Sequence, residues 1–217
     1  MLKFYFSPIS LNARRVWVAL LEKQITFEPV QMKLDGDHFQ PEFTAINPLQ
    51  RVPVIIDDGF TVVESLAILD YLEAKYPTPS LIPKEPQTMA KVRMVEMVAV
   101  NEFQPATLPL TKQMVGLEVE YSKIAATKQR INTILQFYEN LLGDNTYFAG
   151  EMFSLAEVVA GTLLQSLPMF GMAIDIYPKL NNWLQRLQQR ESFQQTTASP
   201  EQIEAVLPQI KKILATR

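Results

Sequence analysis

The chain has 217 residues, 47% of them apolar, enough to bury the core of two small domains or one large one. Against 23 acidic residues stand 20 Lys and Arg, a net charge of −3 with no basic cluster, which argues against a nucleic-acid binder. With no cysteine there is no disulfide, CxxC redox pair, thiolate metal site or cysteine nucleophile, and one histidine, His38, gives no basis for a multi-histidine metal centre or the usual serine triad.

Residues 2–6 are short and apolar apart from Lys3, a buried strand, and Ser7-Pro8-Ile9-Ser10 is a turn. No run of 18 apolar residues occurs, and Met1-Leu2-Lys3-Phe4 enters that strand without a signal-peptide pattern, so a cytoplasmic protein with no membrane attachment is expected. From Leu11 the spacing becomes helical, with Ala13, Val16, Trp17, Leu20 and Leu21 on one face and Arg14, Arg15, Glu22 and Lys23 off it. Ser10 stands at the start of that helix, where serine is a favoured N-cap. Residues 25–31 predict a strand, Leu34-Asp35-Gly36-Asp37-His38 a loop, and 39–46 a short helix.

Two apolar runs, 52–56 and 60–63, flank Asp57-Asp58-Gly59 and predict a β-hairpin. The second runs into Glu64-Ser65 and then Leu66, Ile68, Leu69, Leu72 and Tyr76, a helix with Ser65 as its N-cap and an anion-binding N-terminus. Pro53 at the head of a strand would remove a ladder hydrogen bond. A cis Val52-Pro53 bond, turning the main-chain groups of Val52 outward to pair with an extended peptide, accounts for it. The stretch therefore offers a backbone docking edge and, one hairpin later, a carboxylate, a hydroxyl and helix N–H groups. That combination suits a short peptide bearing an amine, a carboxylate and a main-chain amide.

Residues 77–88 hold four prolines and no pattern, a domain linker. Beyond it the periodicity is helical throughout, and Ser154-Leu155-Ala156-Glu157 is a capping box that starts a buried helix, with Phe153 and Val158 placed as a hydrophobic staple. Pro105 and Pro109 bend the first long helix of this part.

Asn47-Pro48-Leu49-Gln50-Arg51-Val52-Pro53, Glu64-Ser65-Leu66-Ala67-Ile68 and Tyr71-Leu72 resemble, in order and spacing, the glutathione-binding half of cytosolic glutathione transferases. The resemblance is tight over 7–76 and loose over the helical part. It implies an α/β thioredoxin-like N-terminal domain over 1–76 and, after the 77–88 linker, an all-α domain over 89–217 that holds the electrophile pocket. It further implies that cis-Pro53 presents Val52 to the cysteinyl part of glutathione and that Glu64 and Ser65 hold the γ-glutamyl end. Ser7-Pro8-Ile9-Ser10-Leu11-Asn12-Ala13-Arg14-Arg15-Val16 looks like the segment of phi-type and several bacterial serine-using members in which this serine donates to the sulfur. Ser10 takes that role by resemblance, Asn12 assists, and Tyr5 reads as structural.

His38 stands where phi-type members have a histidine near the glycine carboxylate, but Phe39 replaces the lysine that follows there. Arg51, replacing glutamine, restores a cation able to pair with that carboxylate, or is simply a solvated charge. Ile9, Phe103 and Leu108 are candidates for the electrophile pocket, although an apolar stripe on a helix serves equally as core. Glu157 replaces the family's aspartate and leaves the cap intact. The implied activity is attack of the glutathione thiolate on small hydrophobic electrophiles, with organic-hydroperoxide reduction as a possible companion, in a detoxifying homodimer with glutathione as co-substrate and no metal. A glutathione-binding scaffold with little turnover is the alternative.

A hydroxyl at a helix N-terminus is sufficient for this chemistry. A free thiol has a pKa near 8.5, and lowering it by about two units needs roughly 2.7 kcal/mol of preference for the thiolate. A hydrogen bond to a charged group supplies about 1.5 to 3 kcal/mol and the helix dipole about 0.3 to 1 more.

Overall fold

In a computed structural model the chain is described over residues 1–33 and 36–216. Leu34 and Asp35 of the predicted 34–38 loop lie outside the described residues. The chain folds as two units: Met1–Leu81 with Glu191–Gln202, and Ile82–Arg190 with the stretch from Ile203 onward.

The first unit is built on four strands, β1 (Leu2–Phe6), β2 (Phe27–Gln31), β3 (Val54–Asp57) and β4 (Phe60–Val63), in the order β2-β1-β3-β4. β1 and β2 run parallel, connected through helix α1 (Leu11–Glu22), whereas β3 lies antiparallel to both β1 and β4. Leu2, Phe4 and Phe6 alternate into the core, where the Phe6 ring meets Trp17 of α1 at 4.8 Å. Tyr5 leaves β1 on the opposite side and packs with Phe43 of helix α2 (Pro41–Ile46), so it is structural as expected. The hairpin is tighter than the sequence suggests. Asp57 pairs with Phe60 inside the ladder, and Asp58 and Gly59 alone make the turn, with φ of 50° and 83°. A two-residue turn of that hand matches the strand twist.

Helix α3 (Ser65–Lys75) buries Ile68, Leu69 and Leu72, and Glu64, not Ser65, is its cap residue. Arg14 and Arg15 correct the sequence reading, because both are buried rather than off the packed face of α1. A third element, helix α10 (Glu191–Thr196), packs with α1 in this unit. The Arg14 guanidinium donates to Thr196 Oγ1, Thr197 Oγ1 and the Phe193 carbonyl, and burial lowers its pKa to about 10. Lys23 is buried too, with its ammonium 2.6 Å from Glu73 and 2.8 Å from the Pro79 carbonyl, while Glu73 also accepts from Leu81 N and Ser80 Oγ. Removing one partner from such a pair costs about 3–5 kcal/mol.

In the second unit, α4 (Pro86–Val98) starts inside the expected linker, capped by the Glu85 carboxylate on Gln87 N and Thr88 N. A π-helical turn, Ala99–Phe103, and the short helices α5 (Gln104–Ala106) and α6 (Leu108–Met114) then break the long helix where Pro105 and Pro109 required it. Helix α7 (Tyr121–Leu142) buries Ile124, Ile131, Ile134, Leu135, Tyr138 and Leu142. The Ser154 box forms as expected: Glu157 accepts from Ser154 N at 2.9 Å and Ser154 Oγ at 2.6 Å, and also from Phe148 N and Trp183 Nε1. Burial pushes the Glu157 carboxyl pKa up, and these donors offset part of the rise. A π-helical turn, Glu157–Gly161, and α8 (Thr162–Leu164) continue from the box, followed by α9 (Pro178–Gln188) and, after α10, by α11 (Pro200–Ala215). Among the described residues no helix is long and apolar enough to cross a membrane.

Candidate active site

Ser10 has extended backbone geometry, and its Oγ accepts from Ala13 N at 3.2 Å, so it is the N-cap of α1. That bond uses the oxygen as an acceptor and leaves the hydroxyl hydrogen for a second partner. The dipole of α1 adds partial positive charge at the same end. Asn12, in the first turn of α1, and Ile9, just before the cap, are both partly exposed.

The Val52-Pro53 bond is cis, as the sequence predicts, and Val52 lies just outside the ladder, which begins at Val54. A signal that sequence reasoning quoted but did not use is Asn47. Its buried side chain donates to the Arg51 carbonyl at 2.8 Å and accepts from Leu49 N at 3.0 Å, closing the 47–51 loop against itself. The loop thus delivers Val52 from a fixed frame. Arg51 is exposed at its edge. His38 lies in a short 3-10 turn, its ring 3.9 Å from that of Phe39, and among the described residues its buried Nδ1 has no hydrogen-bond partner.

Glu64 is exposed and holds φ 67°, ψ 119°, a conformation that costs a non-glycine residue on the order of 1–3 kcal/mol and that clusters at ligand sites. Ser65 follows as the first helical residue, so the N–H groups of the first turn of α3 and the Ser65 hydroxyl stand at one helix terminus. Of the pocket candidates, Leu108 is 47% exposed in the helical unit, whereas Phe103 has no exposed surface. The π-helical turn carries Phe103 inward, and it is core rather than an open wall.

A βαβ unit followed by a β-hairpin and α3, joined to a helical unit, defines a thioredoxin-like domain with an all-α partner. Residues 4–80 match the family described as glutathione S-transferase, N-terminal domain, and residues 72–191 match glutathione S-transferase, C-terminal domain. Glutathione S-transferase 3 of Zea mays is 30% identical over 209 residues, covering 91% of this chain and 94% of its own. Maleylacetoacetate isomerase of Rattus norvegicus is 32% identical, covering 83% and 84%. The solved structure of a glutathione S-transferase from Rhodospirillum rubrum F11 superimposes with a TM-score of 0.78 at 29% identity over 92% of this chain and 94% of that one. The chain belongs to the glutathione S-transferase family, a family of glutathione-using enzymes.

Proposed function

We propose that the protein binds glutathione along its first unit and activates the thiol through the Ser10 hydroxyl for attack on small hydrophobic electrophiles. The observation that carries this reading is the Ser10 hydroxyl itself, held at a helix N-terminus with its oxygen bonded to Ala13 N and its hydrogen available to a thiolate. In the reaction the thiol proton goes to solvent and the thiolate attacks the electrophilic carbon. With an aromatic halide a C–S bond forms and halide departs with the bonding pair. With an organic hydroperoxide two glutathiones are oxidised to the disulfide while the hydroperoxide becomes an alcohol and water.

In this reading the Val52 main chain and Pro53 dock the cysteinyl residue, and Glu64 and Ser65 take the γ-glutamyl amine and carboxylate. His38 and Arg51 face the glycine carboxylate, Asn12 assists Ser10, and Ile9 contacts the electrophile. The strained backbone of Glu64 supports its part in this. We place the enzyme in the cytoplasm as a detoxifying homodimer, twofold pairing being the commonest arrangement of oligomers.

The test is retention on immobilised glutathione, then turnover with an aromatic halide and with cumene hydroperoxide, and a thermal shift with glutathione for wild type, Glu64→Ala and Ser65→Ala. We expect a shift in wild type that is greatly reduced in both variants, since each loses a charge-assisted hydrogen bond. Equal shifts in all three would remove the assignment of Glu64 and Ser65. Retention without turnover would leave a binding protein. Because relatives named maleylacetoacetate isomerase match as well as the transferases do, a cis-unsaturated dioxo acid belongs in the substrate panel. Faster isomerisation of it than conjugation of the halide would favour the isomerase reading.

A further inference from the structure

Among the described residues four that are not glycine hold a positive φ, and three of them have a local cause: Gln24 follows the end of α1, Asp58 makes the hairpin turn and Glu64 caps α3. The fourth is Gln50, at φ 55°, a half-buried residue two positions before Val52. A residue with a Cβ is disfavoured in that left-handed region, and glycine is its usual occupant. Glycine could not supply the side chain that is used here. Gln50 Nε2 donates to Thr44 Oγ1 of α2 at 3.2 Å. The backbone is held on both sides as well, since Gln50 N donates to the Asn47 carbonyl at 2.9 Å and Asn47 Nδ2 donates to the Arg51 carbonyl at 2.8 Å. Thr44 in turn is fixed relative to Val52, because its neighbour Phe43 is buried in one cluster with Val52 and Val54.

We infer that Gln50 is a positioning residue for the cysteinyl docking edge: its bond to Thr44 holds the left-handed turn that sets the direction in which the Val52 N–H and C=O leave the loop. This rests on the glutathione reading given above and extends it to a residue whose side chain is turned to α2 rather than to substrate. A rotation about ψ of Gln50 swings the Arg51 peptide and, through it, both main-chain groups of Val52, while the Val52 side chain stays anchored in its cluster. Backbone strain of this kind persists where neighbouring bonds over-determine it. Glycine at position 50 would relax the backbone and loosen the edge, so stability and affinity should part company.

The experiment measures, on the full-length protein, the Tm without ligand and the Kd of S-methylglutathione and of its analogue methylated on the cysteinyl nitrogen, which cannot donate to the Val52 carbonyl. The proteins are wild type, Gln50→Gly, Gln50→Asn, Thr44→Val and the Gln50→Gly/Thr44→Val double variant. Asparagine accepts the left-handed backbone but is one methylene too short for Thr44, and valine keeps the shape of threonine without its acceptor. Wild type should prefer the unmethylated ligand by about tenfold. In each single variant the affinity for S-methylglutathione should fall about three- to tenfold and that preference should shrink, with the double variant no worse than Gln50→Gly. The Tm of Gln50→Gly and Gln50→Asn should stay within about 2 °C of wild type, because relief of the left-handed backbone offsets the lost bond.

A glutamine that merely holds the loop in the fold would lower the Tm on substitution and weaken both ligands equally. That result, an unchanged preference in the variants, or additive losses in the double variant overturns the proposal while leaving the glutathione reading intact. Equal binding of the two ligands by wild type overturns it as well, since Val52 is then not the docking edge. Failure of wild type to bind S-methylglutathione at all would overturn the glutathione reading, and this proposal with it.

Discussion

A serine hydroxyl has one hydrogen and two lone pairs, and at Ser10 and Ser65 the protein uses an oxygen lone pair internally. Each is thereby preset as a donor. If the Ser10 hydroxyl contributes about 1.5 to 3 kcal/mol to the thiolate, Ser10→Ala should raise the pKa of bound glutathione by about one to two units. Turnover at pH 6.5 should then fall roughly tenfold or more, with partial recovery at pH 9, where solvent supplies the thiolate. Asn12→Ala should do less. A pH–rate profile for Ser10→Ala that overlays wild type, with Asn12→Ala shifted instead, would transfer the role to Asn12. Ser10 was legible from sequence because serine before a helical stripe is an N-cap whatever the fold. Arg15 was not. Its side chain lies in the interior because of a partner 50 residues away, and periodicity sorts residues by polarity, so a buried arginine is misassigned to solvent.

The β3–β4 hairpin is fastened to α3 by one carboxylate. Asp57, at the end of β3, is buried and accepts from Tyr76 at 2.7 Å, Tyr71 at 3.1 Å and the Lys75 ammonium at 2.8 Å. Burial alone would raise its pKa, but the hydrogen bonds from Lys75, Tyr76 and Tyr71 together hold it below the usual carboxylate value. The Tyr76 phenol moves the other way, up to about 12, through burial and the neighbouring Asp57. Because the folded pKa of Asp57 is depressed, the stability it contributes is present above about pH 4 and is lost as pH falls through the folded value. Asp57→Asn should cost about 2 kcal/mol at pH 7, a drop of about 4–8 °C in Tm for a chain of this length. The gap between variant and wild type should narrow in thermal melts below pH 4, and a constant gap down to pH 2 would refute the assignment. The hairpin itself was plain in the sequence, since Asp-Gly between β-branched runs fixes the turn locally. The clamp beneath it depends on Tyr71, Lys75 and Tyr76 arriving on one side of a helix, which only the packed α3 reveals.

At the scale of the whole molecule, light scattering should return twice the 24.7 kDa chain mass across micromolar concentrations, as expected for the proposed homodimer. A value near the single-chain mass would remove that part of the proposal. That the second part is helical was readable from its periodicity. The allegiance of α10 was not, since the groups that tie it down, the Phe193 carbonyl, Thr196 and Thr197, meet an arginine 179, 182 and 183 positions earlier. That tie has a consequence for how the molecule is made. A ribosome releases residues 1–81 long before residue 191, so the first unit must wait, with the Arg14 side of α1 uncovered, until residues 191–202 have emerged. A fragment ending at the linker is therefore not a finished domain, and a chimera that exchanges only the N-terminal part between relatives inherits a mismatched α10 from its host.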